Sequence, residues 1–241
     1  MSMVYMALPM YEQCSKETVE SVAKATKDHN VMYSFGSMSA LCLNFNTAWC
    51  DMLNKRVLYP DMKWFGMLHS DIGVADMFWL DKMVRLAEEY GTDVLSVVSP
   101  LKDQRGLTST GIYDKEYEVI VKRLSVREVN KIGKSVFGLD EIERLGLGIY
   151  DKHALVVNTG LMLVRIGDWC ENIRFHTKDY VIKKEGQWIP QFISEDWLFS
   201  IDVHEQGKVV KVCSDIEIVH VGKKAYSNKG DWGTLKEDDL T

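Results

Sequence analysis

The chain has no C-x-x-C pair, no apolar run of membrane length, no excess of positive charge and no phosphate loop of the G-x-x-x-x-G-K-[ST] kind. Each absence closes a class of function. Its five cysteines, Cys14, Cys42, Cys50, Cys170 and Cys213, are odd in number and widely spread. That usage argues against a disulfide framework or structural zinc and for reduced thiols in an intracellular protein. The N-terminal apolar run Val4 to Met10 is broken by Pro9 and followed by a charged stretch, so it reads as neither a signal segment nor a membrane span. With 29 Lys and Arg against 35 Asp and Glu, the net charge of −6 excludes a uniformly basic nucleic-acid surface but leaves room for a local basic patch. No linker, repeat or low-complexity tract divides the 241 residues, and 46% apolar content is enough for one core. One domain spanning 1–241 is expected.

What is present is an alternation of strand and helix. Val4 to Leu8 reads as a strand ended by a Pro9-Met10-Tyr11 loop, because proline gives no amide to a ladder. Ser15 caps a helix carrying Val19, Val22 and Ala23. Val31 to Phe35 is the second strand. Leu41, Phe45, Ala48, Trp49 and Met52 then form the apolar stripe of a second helix. The run Trp64 to Leu68 is a third strand, ended by His69-Ser70-Asp71-Ile72. A helix with Met77, Leu80, Val84 and Ala87 inward and Gly91 past its end leads to the strand Val94 to Val98. Such alternation predicts a mostly parallel sheet with helices on both faces. Ligands bind such sheets at the carboxyl ends of the strands, where Asp71 lies.

From Lys102 to Lys134 the pattern weakens and eight basic residues face five acidic ones, a solvated insertion able to draw anionic partners. Within it Thr108-Ser109-Thr110-Gly111 reads as a polar loop suited to an acceptor. Ala154 to Arg165 resumes the sheet, and Asn158-Thr159-Gly160 inside it suggests a bulge or a close ligand approach. Ser194 caps a late helix to about Gly207, and Lys208 to Cys213 and Ile216 to Val221 are the last strands.

Five of these segments fall in a telling order. They are Ala7-Leu8-Pro9-Met10-Tyr11 after the first strand, Asn44-Phe45-Asn46 on the second helix, His69-Ser70-Asp71, Ser194-Glu195-Asp196-Trp197-Leu198-Phe199 opening the late helix, and His220-Val221-Gly222. Together, over residues 4 to 224, they resemble the GT-A superfamily of glycosyltransferases, above all the compact forms of bacteriophages, large viruses and bacteria. The resemblance implies an α/β GT-A fold with a donor-binding half at about 1–100, an acceptor-binding half at about 101–222 and a tail or lid at 223–241. It also implies a cytoplasmic enzyme, in the host cell if viral, of the hexosyl- or pentosyltransferase class.

By the same resemblance, Pro9, Tyr11 and Asn46 lie near the nucleotide of a nucleotide-diphosphate sugar, and His69, Ser70 and Asp71 occupy the D-x-D position. Asp71 and His220 hold Mn²⁺ or Mg²⁺, which neutralises charge developing on the diphosphate. The imidazole suits manganese better. Lys223 and Lys224 reach the diphosphate. Asp196, with Glu195 beside it, is the base that deprotonates an acceptor hydroxyl in an inverting transfer, its ionised form favoured by the helix N-terminus. Asn158, Thr159, Gly160 and Trp197 lie on the acceptor side, Trp197 as a stacking platform or as core. His69 is a departure, standing where the family has its first Asp. Either manganese is held by Asp71 and His220, or His69 contacts the donor without touching metal. The acceptor is a glycan, a glycolipid head group or a hydroxymethylated pyrimidine in DNA. Two other readings stay open: a non-catalytic carbohydrate- or nucleotide-binding module, and a sugar nucleotidyltransferase, whose glycine-rich loop is missing. Oligomeric state is not legible in the sequence.

Overall fold

A computed structural model of the chain describes residues 3–10, 13–27, 29–146 and 149–234. In chain order the elements are β1 (Met3–Met10), α1 (Lys16–Ala25), β2 (Asn30–Ser37), α2 (Leu41–Arg56), β3 (Met62–Leu68), β4 (Ile72–Val74), α3 (Trp79–Glu89) and β5 (Val94–Val97). Then come β6 (Leu107–Asp114), β7 (Val119–Ser125), α4 (Val126–Ile132), β8 (Val136–Phe137), α5 (Leu139–Glu143), β9 (His153–Val156) and β10 (Leu161–Arg165). The last are β11 (Lys178–Lys184), β12 (Gln187–Ile193), α6 (Glu195–Glu205), β13 (Val210–Cys213), β14 (Ile218–Val221) and β15 (Ala225–Ser227). Seven strands form the central sheet in the order β2-β1-β3-β10-β5-β13-β8. β1, β2 and β3 are mutually parallel, as are β5 and β13, while β10 and β8 run against them.

Side-chain alternation along β1 and β3 splits the core in two. Tyr5, Phe65 and Met67 pack with Phe45, Trp49 and Met52 of α2 and Phe199 of α6 on one face. Val4, Met6, Trp64 and Leu68 pack with α3 on the other. The fold is therefore α/β, with a mostly parallel sheet covered on both faces, as the alternation predicts.

Several local expectations are corrected. β1 continues through Pro9 to Met10 rather than stopping in a loop. Its pairing with β3 ends at Ala7, so Pro9 has only β2 beside it and no second ladder to starve. Tyr11 lies outside the described residues. Met77 precedes its helix and is 42% exposed. Ser194 occupies the N-cap of α6 without a side-chain cap bond. Leu41, at the first turn of α2, is exposed, whereas the rest of that stripe is buried. Thr108-Ser109-Thr110-Gly111 belongs to β6, not to a loop, and Thr108 and Thr110 are buried. The stretch 154–165 is two strands in two different sheets: β9 joins β6 and β7, β10 joins the central sheet, and 157–160 crosses between them. The tail is not a free lid through 234. β15 pairs with β14, and the Trp232 indole donates to the Ser227 carbonyl.

Of the expected Val19-Val22-Ala23 face of α1 only Val22 packs against the core, and the fully buried positions are largely polar. Val19 is exposed, while Thr18, Ser21 and Ala25 are buried. The reason is β4, the edge of the β15-β14-β4 sheet. Thr18 donates to the Ile72 carbonyl, and the Val74 amide donates to Ser21 Oγ, so hydroxyl groups finish a strand edge that would otherwise be unpaired. This contact is close. A Cβ on Gly73 would lie 2.4 Å from Glu17 Cβ and 2.9 Å from Val219 Cγ2. Gly73→Ala should therefore cost about 1–3 kcal/mol, read as a lowered midpoint in thermal melts.

Candidate active site

The candidate site lies at the carboxyl ends of β1 and β3, with His220 of β14 joined to it through Asp71 and Asp196 of α6 joined to it through Thr159 and His69. A cavity of about 370 Å³ is lined by Pro9, Met10, Leu41, Asn44, Phe45, His69, Ser70 and Asp71, among others. Of the residues expected near a donor, Pro9, His69, Ser70 and Asp71 line it. Asn46 does not. Its amide donates to the Phe175 carbonyl at 2.7 Å and accepts from the Phe175 N–H at 2.8 Å, so both its polar groups are spent on a backbone clamp. Asn44 lies in the cleft wall instead, with its amide nitrogen on the carbonyls of Met10 and Gly36.

Asp71 and His220, 149 positions apart, meet because β14 pairs antiparallel with β4, setting His220 opposite Ile72. The Val221 amide also donates to the Asp71 carbonyl. His220 Nδ1 lies 2.7 Å from the Pro100 carbonyl, which only accepts, so Nδ1 carries hydrogen. That leaves Nε2 facing Asp71 Oδ2 at 3.5 Å. Lys102 Nζ lies 2.6 Å from the same oxygen. Burial pushes the Asp71 carboxyl up, but His220 and Lys102 beside it prevail and hold it well below the usual carboxylate range. Lys102 was not foreseen as a site residue. It sits in the basic insertion, and only the placement of the segment after β5 brings it to Asp71. Lys223, expected near the diphosphate, is exposed just after β14.

His69 turns away from that pair. Its ring packs against Phe45 at 5.2 Å between centroids, and Nε2 lies 3.2 Å from Thr159 Oγ1. Burial presses its pKa down to about 4, so the imidazole is neutral at pH 7. Thr159 in turn donates to Asp196 Oδ1 at 2.7 Å. Asp196 is raised to about 7, by burial first and then by the charge of the Glu195 carboxylate beside it. This reverses the expectation that the helix N-terminus keeps Asp196 ionised. Loss of water and a like charge outweigh the helix end.

α6 is fastened to the 155–159 segment along one face. Asp196, Ser200 and His204 recur every four residues and meet Thr159, Val157 and Leu155, which recur every two. Thr159 donates to Asp196, the Val157 amide donates to Ser200 Oγ at 3.0 Å, and His204 Nε2 donates to the Leu155 carbonyl at 2.9 Å.

Other expected acceptor residues are structural. Asn158 accepts from the Gly160 amide and donates to the Val97 carbonyl, and the Gly160 carbonyl takes the His69 amide. Trp197 is only 7% exposed, packs with Tyr113, Ile193 and Leu198, and donates to the Ser109 carbonyl. The Arg123 guanidinium covers its ring at 4.2 Å, so it offers no open stacking platform. Arg123 itself, also unforeseen, feels the charge of Asp196.

A197 from STIV superposes on the chain with a TM-score of 0.50 at 14% identity, over 98% of this chain and 99% of that one. The two share a fold. At that identity nothing more follows. A glycosyltransferase involved in glycosylation of the major capsid of PBCV-1 aligns with a TM-score of 0.28 at 12% identity, over 67% of this chain and 59% of that one. UDP-glucose pyrophosphorylase from Leishmania major aligns at 0.37 and 8% identity, over 83% and 59%. Both similarities are too slight to bear on function. No family model and no curated protein matches the chain. Among the described residues, no helix is long and apolar enough to cross a membrane.

Proposed function

We propose that the chain is a glycosyltransferase of GT-A type, moving a sugar from a nucleoside diphosphate donor to an acceptor hydroxyl with inversion. The observation that carries this reading is the chain at the end of β3 from an ionised Asp71 past His69 and Thr159 to an Asp196 whose pKa is raised to about 7. A carboxylate poised near neutrality is suited to remove a proton from a hydroxyl. As the acceptor oxygen bonds to the anomeric carbon, its proton passes to Asp196. The bond from that carbon to the diphosphate oxygen breaks on the opposite side. Thr159 holds Oδ1 of Asp196 and so fixes the orientation of its carboxylate. His69, neutral and tied to Thr159, positions that hydroxyl and takes no part in holding cation.

Asp71 and His220 fit a divalent cation as a pair. Two bonds of about 2.1 Å can reach donors 3.5 Å apart, and the Nδ1–H bond to Pro100 is the kind of support a ligating imidazole needs. Among the described residues no cluster of three or more His, Cys, Asp or Glu could complete the shell. Diphosphate oxygens and water would supply the rest. Bound there, a cation would offset charge on the leaving diphosphate.

The acceptor we favour is a neutral glycan rather than DNA. Four of the eight basic residues in the 102–134 insertion pair with carboxylates of the chain, Lys102 with Asp71, Arg105 with Asp103, Lys122 with Glu128 and Arg127 with Asp231. That pairing spends much of the charge a phosphate backbone would seek.

The reading is tested by nucleoside diphosphate release from a panel of nucleotide sugars with manganese, magnesium or chelator, on wild type and Asp71→Ala. Cation-dependent release from one donor, lost in the variant, is the expected outcome. Pyrophosphate release would indicate a nucleotidyltransferase, and donor binding without turnover would indicate a binding module.

A further inference from the structure

Lys102 makes a contact that the transfer reaction does not require. Its ammonium sits on Asp71 Oδ2, the oxygen that also faces His220 Nε2. Its stem runs over Gly222, where a Cβ would come within 3.1 Å of Lys102 Cδ, so the bare backbone of the His220-Val221-Gly222 segment clears its path. The segment that carries Lys102 also fixes the imidazole, through the Pro100 carbonyl. One short stretch thus aims one cation-binding group and occupies the other.

We propose that Lys102 is a latch on Asp71 that excludes a divalent cation until an anionic donor arrives. An ammonium and a metal ion cannot share one carboxylate oxygen without strong like-charge repulsion. A diphosphate offers the ammonium a second anionic partner, and once Lys102 moves to it, Asp71 Oδ2 and His220 Nε2 are free together. Cation and donor then bind as a unit, and the cleft does not load metal alone. The inference rests on the transferase reading for the identity of the anion, but its test uses no nucleotide.

The experiment is titration of the full chain with Mn²⁺ alone, following free Mn²⁺ by electron paramagnetic resonance. Lys102→Met keeps the stem and removes the charge, and Lys102→Gln is a second variant should the first fold poorly. Either is expected to bind Mn²⁺ about ten-fold more tightly than wild type, within the usual range of coupling between linked sites. Adding Asp71→Asn to Lys102→Met should abolish the gain. Lys184→Met, which removes the same charge from an exposed position on β11, should leave affinity near the wild-type value. Unchanged or weaker binding in both Lys102 variants overturns the latch, as does a gain that survives Asp71→Asn or is matched by Lys184→Met. Tighter binding in the Lys102 variants beside a donor panel that releases no nucleoside diphosphate would leave the latch standing and overturn the transferase reading. Cation-dependent release beside unchanged Mn²⁺ affinity would do the reverse.

Discussion

Asp196→Asn is expected to lower turnover of the donor by about 10²–10⁴-fold, with the donor KM little changed. The amide still accepts the hydrogen bond from Thr159 but cannot take a proton from the acceptor. In the wild type, Asp196 is raised to about 7, so the rate should climb as pH rises through neutrality and level off above it. A steady-state pH profile checks the first part. Stability supplies a second readout with the opposite sign. A carboxyl whose folded pKa lies above its unfolded one favours folding less as pH rises from the unfolded value through the folded one, because the folded chain must then hold a partly buried charge. Asp196→Asn removes that cost. Its melting temperature should exceed that of the wild type at pH 8 and approach it near pH 4. A variant that loses activity and is also less stable at pH 8 would show that Asp196 serves the fold instead.

The largest expected stability loss lies under the site. The Trp49 ring stands edge-on to Phe65, Phe175 and Phe199 with centroids 4.8, 5.7 and 5.9 Å away, and its indole donates to the Cys170 carbonyl at 3.1 Å. Trp49→Ala should cost about 3–5 kcal/mol for the cavity, and it also removes one of the two hydrogen bonds that the Cys170 carbonyl accepts, the other coming from the Ile173 amide. Urea unfolding followed by circular dichroism would read it as a lower midpoint. Trp49→Phe keeps much of the volume and should recover a good part of the loss. Phe199 lies three residues after Asp196 on α6, and Phe45 packs against His69. For that reason the alanine variant should also lose activity at temperatures where it remains folded.

Most of the β1-to-β5 half was legible because its longer strands and helices declare themselves by their own period, whereas the three-residue β4 does not. Apolar runs gave the strands, and the stripe through Phe45, Trp49 and Met52 gave α2. What escaped was decided by partners remote in sequence. α1 buries Thr18 and Ser21 because β4 has an open edge, and nothing near those residues announces it. The β11–β12 hairpin turns at Glu185-Gly186, both with positive φ, yet its strands are half exposed and their apolar pattern is weak. A polar triplet inside an apolar run reads equally as a bulge or as a crossing between sheets, and Asn158-Thr159-Gly160 is the crossing. In the site, Asp71, His220 and Asp196 stood out because charged or polar groups ended apolar segments. Lys102 and Arg123 did not, since a lysine or arginine within a basic insertion looks the same whether it faces solvent or a carboxylate. Asn46 was misread for the converse reason: its partner is backbone at Phe175, which leaves no mark in sequence.

The face of α6 that meets residues 155–159 behaves like a toothed rack. Asp196, Ser200 and His204 are spaced by one helical turn, and the 155–159 segment offers them matching notches two residues apart. A helix so engaged cannot slide by part of a step. It is either seated at all three teeth or at none. The position of the Asp196 carboxylate is thereby tied to Ser200 and His204, one and two turns further along, and is a property of the helix as a whole rather than of its first turn.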